Sequence, residues 1–268
     1  MNKKLLSDTH CHLNLEDFDV DREQVISRAQ KCGLEKILVL GIDYSSSCLA
    51  VKMAEEYPCF IYAAVGIHPN YATDRDFEYI NKFRRLIRKP EVVAIGEIGL
   101  DFYRNFSEKV VQINTFKSML DLAIEAGKPI CLHQRSSLSE MLNILEGWYC
   151  NLLNSDSLLA KNPGVFHSFD GNEELIVWSE NRPFYFGING FITYKKTIEL
   201  RESLRKINPD RLLLETDAPY ITPEPERGKR NEPANVCIIA RKVGEVLAVD
   251  AKIISDITGS NAKRLFGW

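Results

Sequence analysis

No stretch of the 268-residue chain runs to eighteen apolar residues, so no segment reads as a membrane-spanning helix. There is no C-x-x-C pair. The seven cysteines (Cys11, Cys32, Cys48, Cys59, Cys131, Cys150 and Cys237) are odd in number and scattered, which argues against a disulfide framework or a thiolate zinc site. Reduced thiols in a cytoplasmic protein are the expectation. Excess positive charge is also missing: 34 Lys and Arg face 37 Asp and Glu, for a formal charge of −3. That excludes a globally basic nucleic-acid coat and confines any polyanion site to a local patch. Met1-Asn2-Lys3-Lys4-Leu5-Leu6 runs at once into Ser7-Asp8, so no apolar leader core is expected there. Linkers, repeats and low-complexity tracts are absent. With 45% apolar and 26% charged residues the composition is ordinary for a globular chain, and one domain over 1–268 is expected.

What the sequence does contain is an alternation. Apolar runs of strand type recur at 5–6, 36–40, 60–65, 92–95, 130–132, 165–166, 184–186 and 212–214. Apolar residues at helical spacing follow them: Val25, Ile26, Ala29 and Cys32; the segment 45–57; Phe77, Ile80, Phe83 and Ile87; Val110, Ile113, Phe116, Leu120 and Ile124. The pattern continues through Leu138, Leu142 and Leu145, then Leu175 and Ile176, then Leu200, Leu204 and Ile207, and last Val236, Ile239, Ala240, Val243 and Leu247. Asp21 with Gln24 three residues on predicts a capping box, Gly33 and Gly127 close helices, and Pro233 suits a first helical turn. The polar stretch 147–163 reads as a surface excursion between strands five and six. Eight apolar strands, each followed by an amphipathic helix, predict an α/β fold, a TIM-like (β/α)8 barrel of one domain. A doubly wound open sheet is the rival. It would more often show about six strands and a glycine-rich first turn, and Leu6-Ser7-Asp8-Thr9-His10 has no glycine.

Reactive residues of such a barrel sit at the C-terminal ends of its strands. Here those ends read His10-Cys11-His12, His68, Glu97, His133, His167 and Asp217, and they take in all five histidines. His10 and His12 are two apart on a strand, so both imidazoles point into the barrel and can chelate one ion. Six nitrogen and oxygen donors are too many for one tetrahedral ion with an open position. They suit two divalent ions sharing a carboxylate. Glu97, on the strand opposite the first, is the natural bridge. His10, His12 and Asp217 then hold one ion, and His133 and His167 the other. Two ions about 3.5–4 Å apart bind one hydroxide between them and lower its pKa toward about 7. By ligand softness the set suits zinc, manganese, iron or nickel better than magnesium.

His68, before Pro69, is surplus as a ligand. It reads either as a substrate or leaving-group contact or as a loop histidine. Asp101 reads as a cap or as a support for a ligand. Arg135, Lys195, Arg227, Lys229 and Arg230 lie in strand-end loops, where they hold phosphates or form a solvated basic rim. Phe102, Tyr103, Tyr194 and Tyr220 flank the same loops and can stack bases or pack the rim.

Asp8-Thr9-His10-Cys11-His12, Gly66-Ile67-His68-Pro69, Gly96-Glu97-Ile98-Gly99-Leu100-Asp101-Phe102-Tyr103, His133-Gln134-Arg135, His167-Ser168-Phe169 and Glu215-Thr216-Asp217-Ala218-Pro219-Tyr220 occur in this order. Together with the run 227–236 and the ending Asn261-Ala262-Lys263-Arg264-Leu265-Phe266, the sequence resembles the TatD family of metal-dependent deoxyribonucleases over nearly its whole length. The resemblance implies a TIM-like barrel, a divalent metal centre (magnesium included) and hydrolysis of DNA phosphodiesters. It implies His10, His12, Glu97, His133, His167 and Asp217 as metal ligands, the same set the strand ends gave. The sequence departs from the family pattern at Ser168, where cysteine is frequent, at Asp170, where serine is frequent, and at Ser136-Ser137, where an acidic residue usually follows the arginine. These departures touch the rim and bear on substrate preference.

The expected activity is therefore metal-assisted, exonuclease-like hydrolysis of DNA, with single strands or 3′ ends as partner and a monomer as the favoured state. Asp217 and Glu97 are the expected catalytic residues. Asp217 orients the nucleophile or takes its proton, while Glu215 and Asp8 support the ligands. His68, Arg135, Lys195, Arg227 and Arg230 are the expected substrate contacts. Two other classes stay open: a metal amidohydrolase or lactonase acting on a small carbonyl substrate, and a binding scaffold that has lost its chemistry. Relatives of the first class often bridge their ions with a modified lysine on strand four, where Glu97 stands here. A scaffold would be expected to have lost a ligand.

Overall fold

Strands enclosed by their own sheet on one side and helices on the other must be apolar on both faces. The computed structural model describes residues 5–73, 77–104 and 106–268, with the side chains of residues 77 and 78 also left out. The extreme N-terminal residues of the leader argument and the Phe77 ring thus lie outside the described residues. The strands are β1 (Ser7–Cys11), β2 (Lys36–Leu40), β3 (Ile61–Val65), β4 (Val92–Asp101), β5 (Ile130–Arg135), β6 (Gly164–Phe166), β7 (Tyr185–Ile188) and β8 (Leu212–Leu214). Each pairs in parallel with the next, in the order β1 to β8. A parallel bridge between Cys11 and Ala218 closes the cylinder, helped by His12 N–H donating to the Ala218 carbonyl at 2.7 Å. The fold is the expected barrel.

Side-chain alternation sorts the strands into two cores. Ile37, Val39, Ile95, Leu132, Phe166, Phe186 and Leu214 face the surrounding helices. Leu38, Leu40, Ala64, Ala94, Cys131, Val165, Tyr185 and Leu213 fill the lumen. The helices are α1 (Arg22–Lys31), α2 (Tyr44–Glu56), α3 (Phe77–Leu86), α4 (Lys109–Ala126), α5 (Leu138–Asn154), α6 (Glu173–Ser179), α7 (Ile198–Leu204), α8 (Val236–Leu247) and α9 (Ala251–Phe266). Among the described residues no helix is long and apolar enough to cross a membrane.

Four local expectations need correction. The capping box at Asp21 does not form, because the Asp21 carboxylate is taken by Arg230 at 2.8 Å and Arg28 at 3.3 Å. Such a box forms instead at α2, where Asp43 accepts from the Ser46 N–H and the Ser46 hydroxyl accepts from the Asp43 N–H. The stretch 147–163 is not a loop throughout. Helix α5 runs through Gly147 to Asn154, because Leu145, Trp148, Tyr149 and Leu152 continue its buried face. Burial on that face outweighs the helix cost of one glycine, about 1 kcal/mol. Helix α9 was not anticipated. Its Ala262, Leu265 and Phe266 plug the lumen at the end away from the strand termini. Asn261 ties it there by donating to the Pro209 and Leu212 carbonyls at 2.8 and 2.9 Å. Finally, the Sγ atoms of Cys32 and Cys237 meet between α1 and α8, a pairing that a sequence separation of 205 hides, while the other five cysteines are free.

Two positions tune the functional end. Gly99 has φ +146°, and a Cβ there would stand 2.0 Å from the His133 carbonyl oxygen. Gly99 pairs directly with His133 in the β4–β5 ladder, just past the register shift between Ile95 and Ile98. Asn231, fully buried, donates to the Thr216 and Tyr220 carbonyls at 2.8 and 2.6 Å and so fastens the loop after β8. Gly99→Ala is expected to lower stability by about 3 kcal/mol, the upper range for overpacking, as measured by urea denaturation. A loss of less than about 0.5 kcal/mol, the scale of ordinary surface changes, would show that the β4–β5 contact yields.

Candidate metal centre and its cavity

The lumen positions of the strands determine which side chains meet. On β5, Cys131 faces the lumen and His133, two residues on, does likewise; on β6, Val165 leads to His167; on β8, Leu213 leads to Glu215. His10 and His12 alternate with Cys11, which packs outward. All six expected ligands converge at this end of the barrel. Donor atoms of His10, His12 and Glu97 lie within 4.8 Å of one another, as do those of His10, His167 and Asp217 and those of His68, Glu97 and His133.

Glu97 organises the group. Its Oε2 stands 3.4 Å from both His10 Nε2 and His12 Nε2. Its Oε1 faces His133 Nδ1 at 2.7 Å, His167 Nε2 at 3.3 Å and His68 Nε2 at 3.6 Å. Asp217 Oδ1 lies 3.7 and 3.5 Å from His10 and His12 Nε2. Each carboxylate oxygen of one glutamate thus faces a separate set of imidazoles, Oε2 toward His10 and His12 and Oε1 toward His133, His167 and His68. The imidazoles of His10 and His167 stack, with centroids 3.9 Å apart. Asp217 reaches the group from the left-handed region, φ 55°, with its N–H donating to the His10 carbonyl at 2.8 Å. Unfavourable backbone of this kind, costing about 1–3 kcal/mol, gathers at functional sites.

Outer nitrogens are held so that inner ones converge. His12 Nδ1 lies 3.2 Å from the Leu40 carbonyl, which can only accept, so Nδ1 carries the hydrogen and Nε2 presents its lone pair inward. Glu215 Oε1, fixed by the Ser168 N–H at 2.6 Å, stands 3.3 Å from His167 Nδ1. Gly187 makes room for this carboxylate, since a Cβ there would meet Glu215 Oε2 at 2.1 Å. Asp101 Oδ2 stands 3.5 Å from His133 Nε2 while Oδ1 accepts from the Tyr103 and Arg104 N–H groups, so Asp101 is both cap and support. Asp8 accepts from the Thr216 N–H and hydroxyl beneath the site, and burial pushes its carboxyl up to about 8.

His68 differs. Its Nδ1 accepts from the Asn70 N–H at 3.1 Å, so the hydrogen of the neutral ring is on Nε2, which points at Glu97. In this tautomer Nε2 turns an N–H, not a lone pair, toward Glu97. Burial lowers its pKa to about 3, which keeps the ring neutral.

The donor set fits divalent ions. His10 is wholly buried, and both its nitrogens lack hydrogen-bond partners. Burial disfavours charge on His12, His133 and His167, yet the carboxylates raise all three above the ordinary imidazole value: Asp217 for His12, Asp101 and Glu97 for His133, Glu97 and Glu215 for His167. Glu97 is held well below the usual carboxylate range by His68, His167 and His10 against the effect of its burial. Carboxylates facing His12, His133 and His167 give the pocket negative charge that cations would offset.

A cavity of about 790 Å³ opens over the site. Arg135 lines it, its guanidinium 4.0 Å from the Tyr103 ring centroid. Lys195, Arg227 and Arg230 are not among its lining residues. Arg230 is bound to Asp21 and to the Asp17 carbonyl and lies over Phe18, and Arg227 lies over Tyr194 near Glu224. Acidic neighbours partly neutralise the basic loop. Sequence reasoning missed Asn70, Tyr71, Arg104, Phe106, Phe191 and Ile221, which do line the cavity. Arg104, Phe106 and Tyr71 were discoverable as near neighbours of Asp101 and His68.

Comparison with known proteins agrees with this geometry. The family model of TatD related DNase matches residues 7–267. The chain is 38% identical to the uncharacterized metal-dependent hydrolase YabD of Bacillus subtilis, covering 98% of this chain and 99% of the relative. It is 36% identical to the 3'-5' ssDNA/RNA exonuclease TatD of Rahnella sp., covering 95% of each. Among solved structures, YJJV, a TatD homolog from Escherichia coli K12, superposes with a TM-score of 0.87 at 27% identity over 98% of each chain.

Loss of the shared carboxylate should disperse the site. Glu97→Gln is expected to retain fewer manganese ions per chain than the parent after gel filtration, counted by plasma mass spectrometry. Glu215→Gln is expected to weaken binding about 10–100-fold, as for other groups that orient a ligand. Equal metal content in parent and Glu97→Gln would remove Glu97 from the centre.

Proposed function

The chain belongs to the TatD related DNase family of metal-dependent hydrolases, and on that premise we propose that it removes nucleotides from the ends of single-stranded DNA. The observation that carries this reading is the division of the Glu97 oxygens between two imidazole sets. His10, His12 and Asp217 would hold one divalent ion, His133 and His167 the other, with Glu97 between them; manganese, zinc and magnesium are the candidates. When bound, such a pair supplies a water of lowered pKa and neutralises phosphate charge.

The remaining work falls to the protein. Asp217, with one oxygen turned to His10 and His12, is placed to orient the attacking water and accept its proton. His68 donates an Nε2–H hydrogen bond to a phosphate oxygen. Arg104 and Arg135, on the cavity wall, hold the phosphates beside the scissile one. Lys195 and Arg227, outside the cavity, serve flanking phosphates of a longer strand, and Arg230 fastens the loop. The TatD relative's name specifies a 3'-5' exonuclease on single-stranded DNA and RNA, which supports a 3′ end as the entry point.

Three results are expected. Chelation by EDTA abolishes nucleotide release from a labelled single strand, and manganese restores it. Asp217→Asn lowers kcat at least about 10²-fold, in line with loss of a proton acceptor. His68→Ala lowers kcat about 10²–10³-fold, the usual cost of one transition-state donor, without lowering metal content. Release of nucleotides by Asp217→Asn at the parent rate would remove that residue from the chemistry. Turnover of lactones or small esters faster than of oligonucleotides would transfer the site to the carbonyl hydrolases.

A further inference from the structure

Two tyrosines repeat one arrangement, on the turns that carry His68 and Asp217. Tyr71 lies three residues after His68, and its N–H donates to the His68 carbonyl at 2.8 Å. Tyr220 lies three residues after Asp217, and its N–H donates to the Asp217 carbonyl, also at 2.8 Å. Each ring stands edge-on to a site histidine: Tyr71 to His68 with centroids 6.2 Å apart, Tyr220 to His12 at 6.4 Å. Both line the cavity, yet 52% of Tyr71 and 53% of Tyr220 stay exposed. The two thus share one cavity wall with His12, His68, Glu97 and Asp217. Asn231 donates to the Tyr220 carbonyl at 2.6 Å, so the backbone that carries this ring is fixed relative to Asp217.

Core packing does not account for half-exposed rings held by short turns next to the reacting centre. Large rigid aromatic faces of this kind at the mouth of a polar site are what an unpaired base needs, since every base has a π-face and stacking is tolerant of sequence. A base still paired in a duplex has its faces covered by its neighbours.

We propose that Tyr71 and Tyr220 form a stacking slot for the terminal nucleobase of the substrate strand, so that selection of unpaired ends, without sequence preference, is made by ring stacking beside the metal centre. The proposal rests on the phosphodiesterase reading above. It assigns to these residues a positioning role: the terminal base is clamped so that the next phosphate lies over Glu97 and Asp217.

The test is steady-state cleavage of one single-stranded oligodeoxynucleotide in two forms, with an intact 3′-terminal residue and with an abasic one, by manganese-loaded enzyme. Parent, Tyr71→Ala, Tyr220→Ala and the two Tyr→Phe variants are compared. On the intact end each alanine variant is expected to raise KM about tenfold or more, from loss of one stacking face, with kcat within about twofold. Phenylalanine, which keeps the ring, restores KM. On the abasic end the parent's KM rises toward that of the alanine variants, and the alanine penalty disappears. An alanine penalty equally large on the abasic end, or phenylalanine as weak as alanine, overturns the slot. If the parent cleaves neither oligonucleotide, the phosphodiesterase reading falls. The slot is then judged by fluorescence polarisation of the same labelled strands: parent affinity that does not depend on the terminal base overturns it.

Discussion

One carboxylate faces two ways, and the rest of the site is arranged around it. Glu97 is buried at the mouth of the cylinder with one oxygen toward His10 and His12 and the other toward His133, His167 and His68. A buried carboxylate stays ionised only if positive charge or hydrogen-bond donors meet it. Here imidazoles from four other strands or their ends do so, and the neighbouring carboxylates raise the proton affinity of three of them. Fold and chemistry therefore share one requirement: eight strands must end at one level, in the correct register, for opposite walls to share a charge.

The supporting structure follows from that requirement. Gly99 lets β4 and β5 touch beside Glu97 and His133, Gly187 leaves space for Glu215 behind His167, and Asp217 adopts a left-handed backbone to turn inward after β8. Asn231 and Asn261, both buried, bond to carbonyls around β8. These side chains thus have a mechanical meaning, since they fasten the loop after β8 and helix α9 to the last strand. Helix α9 fills the far end of the lumen with apolar side chains, so the polar centre is confined to one end.

Much of this was legible because period-two alternation is so regular. His10 and His12 had to share a face, and apolar runs ending in His133, His167 and Asp217 had no packing reason to end that way. The distances group these side chains around Glu97, with His10 and His12 at one oxygen and His133 and His167 at the other. Reading failed where long-range partners decide. Asp21 seemed a cap until Arg28 and Arg230, distant in sequence, took its carboxylate. The basic loop 227–230 seemed to face substrate, but Asp21, Glu224 and Glu226 engage its cations. Gly147 seemed a stop, yet the buried face of α5 carried on past it.

The amino-acid sequence by itself determined the barrel and which polar side chains gather at its open end, because hydrophobic periodicity and residue chemistry are local properties that survive without coordinates. Tertiary structure alone decided that His68 turns an N–H toward Glu97, since that depends on the Asn70 N–H occupying its other nitrogen. It alone decided which cations look into the cavity and which are spent on neighbouring acids, and it alone put Tyr71 and Tyr220 on one cavity wall. These are matters of distance between parts of the chain brought together only by closure of the sheet, and no spacing along the polymer encodes them.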